Sequence, residues 1–350
     1  MKERIQIADR SVGSGAPVMI VAELSGNHNQ DFGRAVELVH AAAEAGADAI
    51  KLQTYTADTI TIDCDKPYFR LDRGTIWDGT NLYRLYQEAY TPWDWQPKLL
   101  EEAKKLGLLC FSSPFDRTAV DFMMEMEMPA IKIASFEITD LPLIRYAASR
   151  RKPMIFATGI ARREEILAAV EACRQSGNED IIVLKCVSAY PTPYEDVHLR
   201  MMPGIGEFCS AVYGLSDHTP GSAVAVAAAA MGAKMIEKHL TLRRADGGPD
   251  SAFSMEPEEF AQMVRDVRIV ETALGNAEYA LTKKQEGERA LARSLFVVAD
   301  IRAGEKLTSE NIRSIRPGYG LSPARYEEVL GKTAVRDLER GEPLKEDDFR

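Results

Sequence analysis

The sequence predicts an α/β protein: a (β/α)8 TIM barrel followed by a small β-rich domain. Three observations carry that expectation. Short apolar runs alternate with amphipathic helical stretches over about the first 280 residues, giving about eight strand–helix units, the number and size a closed parallel barrel needs. Nearly every apolar run ends in a functional side chain, as strands do on the barrel face that carries chemistry. Near residue 281 the composition turns charged and loses its large apolar residues. An open doubly wound sheet would want a glycine-rich phosphate turn after its first strand, and Gly26-Asn-His28 is not one.

Residues 4–12 alternate apolar and polar and reach Gly13-Ser-Gly15, a hairpin pattern ahead of the barrel. The first barrel strand is expected at 18–22, leading into the polar loop that opens with Glu23. An amphipathic helix at 32–45 is stopped by Gly46. The strand at 49–53 carries Lys51 and Gln53. A long insertion, 56–90, follows it and holds Gly74-Thr-Ile-Trp-Asp-Gly79 and Leu82-Tyr-Arg-Leu-Tyr86; a βα loop this long is expected to be functional. Pro92 and Trp93 open a helix expected to reach Leu106. Strands at 108–111, 130–133, 153–156 and Ile181–Lys185 end in Ser112-Ser-Pro-Phe115, Ala134-Ser-Phe-Glu137, Ala157-Thr-Gly159 and Cys186-Val-Ser-Ala-Tyr190. The seventh strand is expected at 211–213, with Gly214-Leu-Ser-Asp-His-Thr219 as a polar turn before an alanine-rich helix. Residues 234–239 form the eighth strand and Pro257–Leu274 the last helix.

The expected domains are a barrel over 1–280, a linker at 281–292 and a second domain over 293–350. The second domain repeats itself: Asp300-Ile-Arg-Ala-Gly-Glu-Lys-Leu resembles Asp337-Leu-Glu-Arg-Gly-Glu-Pro-Leu, which points to two related halves.

With 350 residues and a formal net charge of -10, the chain offers no bulk attraction to nucleic acid. Its five cysteines are odd in number and include no CxxC pair, which reads as reduced, mostly buried thiols in a cytoplasmic protein. The charged start, Met1-Lys-Glu-Arg-Ile, lacks the apolar stretch of a signal peptide, and no run approaches a membrane span.

His218 and His239 sit at the ends of consecutive strands, one helix apart. On a barrel both ends share a face, where two imidazoles could hold one divalent metal. Lys51 and Lys132, with hydroxyls at Ser113, Ser135, Ser188 and Ser216, make a site for a small, multiply charged anion such as one carrying phosphate and carboxylate. Each lysine could instead be half of a structural ion pair, and Lys132 or Lys185 could form a Schiff base with a carbonyl substrate. The histidine pair makes metal-assisted carbonyl chemistry the more economical reading.

In this order, Glu23 with Asn27-His28, Lys51-Leu-Gln-Thr54, Phe111-Ser-Ser-Pro-Phe115, Lys132-Ile-Ala-Ser135, Tyr190-Pro-Thr-Pro193, Gly214-Leu-Ser-Asp-His218 and Glu237-Lys-His239 resemble the sialic acid synthases along essentially the whole chain. The C-terminal part resembles the antifreeze-like (SAF) domain that ends them. The insertion motifs and Tyr90-Thr-Pro-Trp93 look most like the branch that makes pseudaminic acid; Ala157 and Ser188 depart from the N-acetylneuraminate pattern.

The resemblance implies phosphoenolpyruvate and an N-acylated amino sugar as substrates. Lys51, Ser113, Lys132, Ser135, Ser188 and Ser216 would bind the phosphoenolpyruvate. Gln53, Glu137, Tyr190 and Asp250 would contact the sugar. Glu23 would manage the proton of the attacking water. His218 and His239 would hold the metal, manganese first and magnesium or cobalt as alternatives. Arg316 would reach the site of the partner subunit in a domain-swapped homodimer. The competing readings are a legionaminic or N-acetylneuraminic acid synthase and, from another class, a catalytically silent sugar-binding barrel.

Overall fold

The structure, a computed structural model, describes residues 2–72, 74 and 76–350, so Thr75 of the insertion motif lies outside the described residues. The chain divides into two compact units, Met1–Gly275 and Asn276–Arg350.

The first unit opens with an antiparallel hairpin, β1 (Arg4–Ile7) and β2 (Arg10–Gly13). Eight parallel strands then close into a barrel: β3 (Met19–Glu23), β4 (Ala49–Thr54), β5 (Leu109–Pro114), β6 (Ile131–Ile133), β7 (Met154–Ala157), β8 (Ile181–Lys185), β9 (Val212–Asp217) and β10 (Met235–His239), with β10 pairing back onto β3. The strands read as almost unbroken apolar runs because both of their faces are covered. Alternate residues such as Ile20, Ile50, Cys110 and Ile236 belong to the layer shared with the surrounding helices. Those between them, such as Met19, Val21, Ala49, Leu109, Phe111, Ile182, Leu184 and Met235, form a second core with Ile5, Ile7 and Val12 of the hairpin. The hairpin therefore contributes its apolar side to the core inside the barrel. Two or four residues further along the same alternation, the inward positions become Glu23, Lys51, Gln53, Ser113, Glu237 and His239. Apolar filling occupies one half of the barrel interior, and charge fills the half at the C-terminal strand ends.

Two expectations are corrected. The helix expected from Pro92 begins at Gln96 and runs to Lys105, with proline in its first turn, where a missing N–H costs nothing. Strand β9 does not stop at Tyr213 but continues through Gly214, Leu215, Ser216 and Asp217, paired to both neighbours. Gly214 looks like a turn residue in sequence, yet it is glycine because a Cβ there would run into the backbone of Met235 and the side chain of Leu184. The insertion is also not bare loop: it forms short helices at Ala57–Ile60 and Leu82–Ala89.

The second unit is built on the antiparallel pair β11 (Ser294–Val297) and β12 (Ile312–Ile315). Its two related halves cross-bond reciprocally. Ile301 and Leu338 exchange backbone hydrogen bonds of 2.9 and 2.8 Å, Asp337 accepts from Ala303 N, and Asp300 accepts from Arg340 N. The repeated aspartates are thus the acceptors that join the halves. The stretch expected as a linker carries a short helix, Lys283–Glu288, and a 3-10 turn, Arg289–Leu291. Among the described residues no helix is long and apolar enough to cross a membrane.

Candidate active site

Barrel closure brings four buried charges into one network. Lys51 Nζ lies 2.7 Å from Glu23 Oε2 and 3.3 Å from Glu237 Oε1. Lys132 Nζ donates to the same Glu237 oxygen at 3.1 Å, and Ser216 Oγ does so at 3.0 Å. Glu23 Oε1 accepts from Ser25 N and from Gln53 Nε2, both at 3.1 Å. Lys51 reaches Ser113 Oγ at 3.5 Å. The four charged groups are at most 4% exposed. The structural ion pair and the anion site read from the sequence are thus the same lysines, tied to carboxylates from β3 and β10.

Sequence reasoning noted Glu237 beside the histidines, in Glu237-Lys-His239, but gave it no role. Its alternation with His239 on one strand was the available signal.

Burial works against every one of these charges, and the neighbours decide the outcome. Burial opposes ionisation of Glu237, but Lys132 and Lys51 overcome it and hold the carboxyl well below its usual range. Burial would lower Lys51, yet Glu23 and Glu237 keep its ammonium above the ordinary value. Burial wins at Lys132, whose value is lowered despite Glu237. The short Lys51 contact alone would make Glu23 a firm anion. Complete burial and the Glu237 charge push the other way, and Glu23 is raised. Glu23 is therefore the carboxylate of the two that takes a proton first.

A second cluster carries the imidazoles. His218 and His239 lie with ring centroids 5.2 Å apart, walled by Tyr190 at 4.5 Å from His218 and by Phe253 at 4.9 Å from His239. His218 Nδ1 meets Val187 O at 2.9 Å, which leaves Nε2 as the nitrogen that could ligate a metal. His239 Nδ1 is buried with no hydrogen-bond partner. Burial, helped by His218 and Lys51, holds His239 well below its ordinary value and so in the neutral form that binds metals. The pair fits a divalent ion with water completing its shell. Among the described residues no His, Cys, Asp or Glu joins in a group of three metal donors.

The structure also sets Cys186 Sγ 3.9 Å from His218 Nδ1, a neighbour the sequence did not reveal. Burial raises a thiol and lowers an imidazolium, but here the mutual attraction prevails. Cys186 is brought down to about 7 and His218 is raised.

Ser135 and Ser188 converge on Gly159, which sequence reasoning also left out. Ser135 Oγ accepts from Gly159 N at 3.1 Å, and a Cβ on Gly159 would run into both hydroxyls. The Gly159 N–H is spent on orienting Ser135, so the two hydroxyls over a bare Cα are the donors this small cradle can offer an anion. The signal in the sequence was a glycine following a hydroxyl at a strand end.

Of the residues expected on the sugar side, Asp250 accepts from Ser25 Oγ, and Gln53 donates to that hydroxyl at 3.2 Å. Burial raises the Asp250 carboxyl. Glu137 has one buried carboxylate oxygen without a partner, and burial pushes it up to about 7. Tyr190 faces Trp77 of the insertion at 5.4 Å, and Trp77 Nε1 donates to Pro249 O at 2.7 Å. Burial raises Tyr190 far above the usual phenol value. Tyr83 points instead to Asp58 within the insertion, at 3.1 Å. Lys185 donates to Cys186 O at 2.9 Å, outside the network of Lys51 and Lys132. Arg316 lies in the second unit, exposed, just past β12.

The NeuB family model matches residues 38–279, and the SAF domain model matches residues 292–350. The chain is 47% identical to a pseudaminic acid synthase of Helicobacter pylori, over 95% of this chain and 98% of that one. It is 33% identical to an N,N'-diacetyllegionaminic acid synthase of Legionella pneumophila, over 95% and 94%. Among solved structures, an N-acetylneuraminic acid synthetase from Leptospira borgpetersenii in complex with citrate superposes with a TM-score of 0.73 at 28% identity, over 81% of this chain and 94% of that one.

Proposed function

The chain belongs to the NeuB family, and from that membership we propose that it is a pseudaminic acid synthase, a transferase that joins phosphoenolpyruvate to 2,4-diacetamido-2,4,6-trideoxy-altrose. The observation that carries the reaction class is the meeting of Glu23, Lys51, Lys132 and Glu237 with His218 and His239 at one end of one barrel. The greater likeness to the pseudaminic than to the legionaminic acid synthase supports the sugar.

In the proposed reaction Lys51 and Lys132 turn part of their charge from Glu23 and Glu237 onto the phosphate and carboxylate of phosphoenolpyruvate. Ser113, Ser216 and the Gly159 cradle with Ser135 and Ser188 supply directed donors. Gln53, Glu137, Tyr190 and Asp250 hold the open-chain sugar so that its aldehyde faces C3 of the enol. A divalent metal held by His218 and His239, manganese first, would polarise that aldehyde as a Lewis acid.

The C3–C1 bond forms as the enol π pair attacks the carbonyl carbon, and the carbonyl oxygen takes up a proton from solvent, balanced by the one that water later gives to Glu23. Positive charge is left at C2, where Glu23 and Glu237 lend negative potential. Water adds to C2 while Glu23, the carboxylate poised to accept a proton, removes one. Phosphate then leaves with its bridging oxygen, by C–O cleavage, taking the proton of the new C2 hydroxyl as that carbon becomes the ketone. The half-buried Tyr190 and the buried Phe253 limit bulk water at the histidine end.

Arg316 is proposed to complete the sugar site of a partner subunit in a domain-swapped homodimer, which its exposed place in the SAF domain permits.

The test is phosphate release from phosphoenolpyruvate with a panel of amino sugars at matched metal. The 2,4-diacetamido-2,4,6-trideoxy-altrose is expected to exceed N-acetylmannosamine by at least ~10-fold in kcat/KM. Donors placed for its second acetamido group are left unpaired by the simpler sugar, which costs more than a misplaced methyl group. Equal or better turnover of N-acetylmannosamine overturns the sugar assignment.

A further inference from the structure

Behind the two histidines lies an ion pair that the proposed reaction does not use. Lys238 and Asp217 are 1% and 3% exposed, and Lys238 Nζ donates to Asp217 Oδ2 at 2.6 Å. Alternation on β10 puts Glu237 and His239 inward and Lys238 outward; on β9 it puts Ser216 inward and Asp217 outward. The two charged residues are register partners in the β9–β10 ladder. Each directly precedes one of the imidazoles, Asp217 before His218 and Lys238 before His239.

The pair does more than cancel charge. Lys238 Nζ also donates to Thr219 O at 2.6 Å. Asp217 Oδ1 accepts from Thr219 N at 2.9 Å and from Thr219 Oγ1 at 2.8 Å. Both residues flanking His218 are thereby fastened to the residue preceding His239. The His218 carbonyl also accepts from Thr192 N at 3.0 Å.

The 217–219 turn could otherwise shift along β10 by leaving the ladder at Asp217. With four bonds gathered on Asp217 and Thr219, the spacing of the two rings is set from behind. A buried ion pair is an inefficient way to stabilise a fold, since well-packed apolar residues serve as well or better, whereas fixing register is its best-attested use.

We propose that Lys238 and Asp217 are positioning residues that set the distance and orientation of His218 and His239 and so the affinity of the site for its divalent ion. The inference rests on the metal-binding reading of the two imidazoles.

The experiment uses the full-length protein with both residues replaced, Asp217→Asn with Lys238→Met. This removes the charge pair without leaving a lone buried ion, and asparagine keeps an acceptor for Thr219 N. Manganese binding is measured on metal-free protein by electron paramagnetic resonance. Steady-state kinetics are measured beside it, with thermal unfolding as the control for folding. The expected result is a folded variant whose manganese affinity falls ~10–100-fold. Its kcat should fall at limiting metal and recover in excess manganese, while the KM for phosphoenolpyruvate stays within ~2-fold, because Lys51 and Lys132 are untouched. A folded variant with wild-type manganese affinity and kcat overturns the proposal and makes the pair purely structural.

If the wild-type protein itself binds no manganese, the metal reading fails, and the positioning claim is decided by 15N signals of selectively labelled histidine rings. An altered His218 or His239 ring in the double variant supports it, and unchanged rings overturn it. Should the double variant not fold, Lys238→Arg, which keeps the ion pair but with a longer, planar head, is judged by the same readouts.

Discussion

Replacing Glu237 with glutamine tests the charge network directly. The carboxylate lies 3.1 Å from Lys132 and 3.3 Å from Lys51. After the change Lys51 keeps Glu23 at 2.7 Å, whereas Lys132 keeps no carboxylate partner among the described residues. At an effective dielectric constant of ~20, a pair at this separation represents about 5 kcal/mol of attraction. A buried charge stripped of its partner costs ~3–5 kcal/mol net. The glutamine carbonyl can still accept from Lys132, so we expect the lower end, a loss of about 3 kcal/mol near neutral pH.

The loss must also depend on pH in a defined way. Glu237 is held below its unfolded value, so its contribution is present above ~pH 4.5 and disappears as pH falls through its folded value. Lys132 is depressed, so its unpaired charge penalises the variant at low and neutral pH, and the penalty is relieved as pH rises toward the unfolded lysine value of ~10.4. The gap between wild type and variant should therefore be widest between ~pH 5 and ~pH 9 and close at both ends. Urea unfolding across that range measures it. A gap under ~1 kcal/mol, or one flat with pH, refutes the reasoning. Adding Lys132→Met should recover most of the stability and none of the activity, since an apolar pair tolerates burial but binds no anion.

Chelation should abolish phosphate release, with manganese restoring it, and His218→Ala or His239→Ala should remove manganese binding without unfolding the barrel; full activity in chelator would refute the metal role. Gly159→Ala would drive a methyl group into the Ser135 and Ser188 hydroxyls, so the KM for phosphoenolpyruvate should rise at least ~10-fold while the unfolding temperature moves by only a few degrees. An unchanged KM in that variant would remove the cradle from the anion site.

Much of this protein was legible in its residues one stretch at a time. Apolar runs with polar ends announced a barrel because a strand buried on both faces must be apolar until it reaches the site. The matching Asp300 and Asp337 stretches announced two related halves, and the structure shows why: each aspartate accepts from the backbone of the other half.

What failed locally failed at the site. Gly214-Leu-Ser-Asp reads as a turn by propensity, yet it is strand, because close packing against Met235 requires the glycine and the chemistry requires the polar residues. Propensity and periodicity act over a few neighbouring positions, so the sequence by itself determined the units, their order and which side chains stand at the strand ends. Which of those side chains meet is a matter of closure. Lys132 and Glu237, 105 positions apart, share a hydrogen bond only because the strand carrying Glu237 closes against the first. Pairing of neighbouring strands sets Cys186 against His218, frames Gly159 with two hydroxyls, and ties Lys238 to Asp217. Those pairings, and the proton affinities they create, were decided by the tertiary structure alone, because a charge buried in a barrel takes its partner from another strand, beside it or across the ring, rather than from along its own.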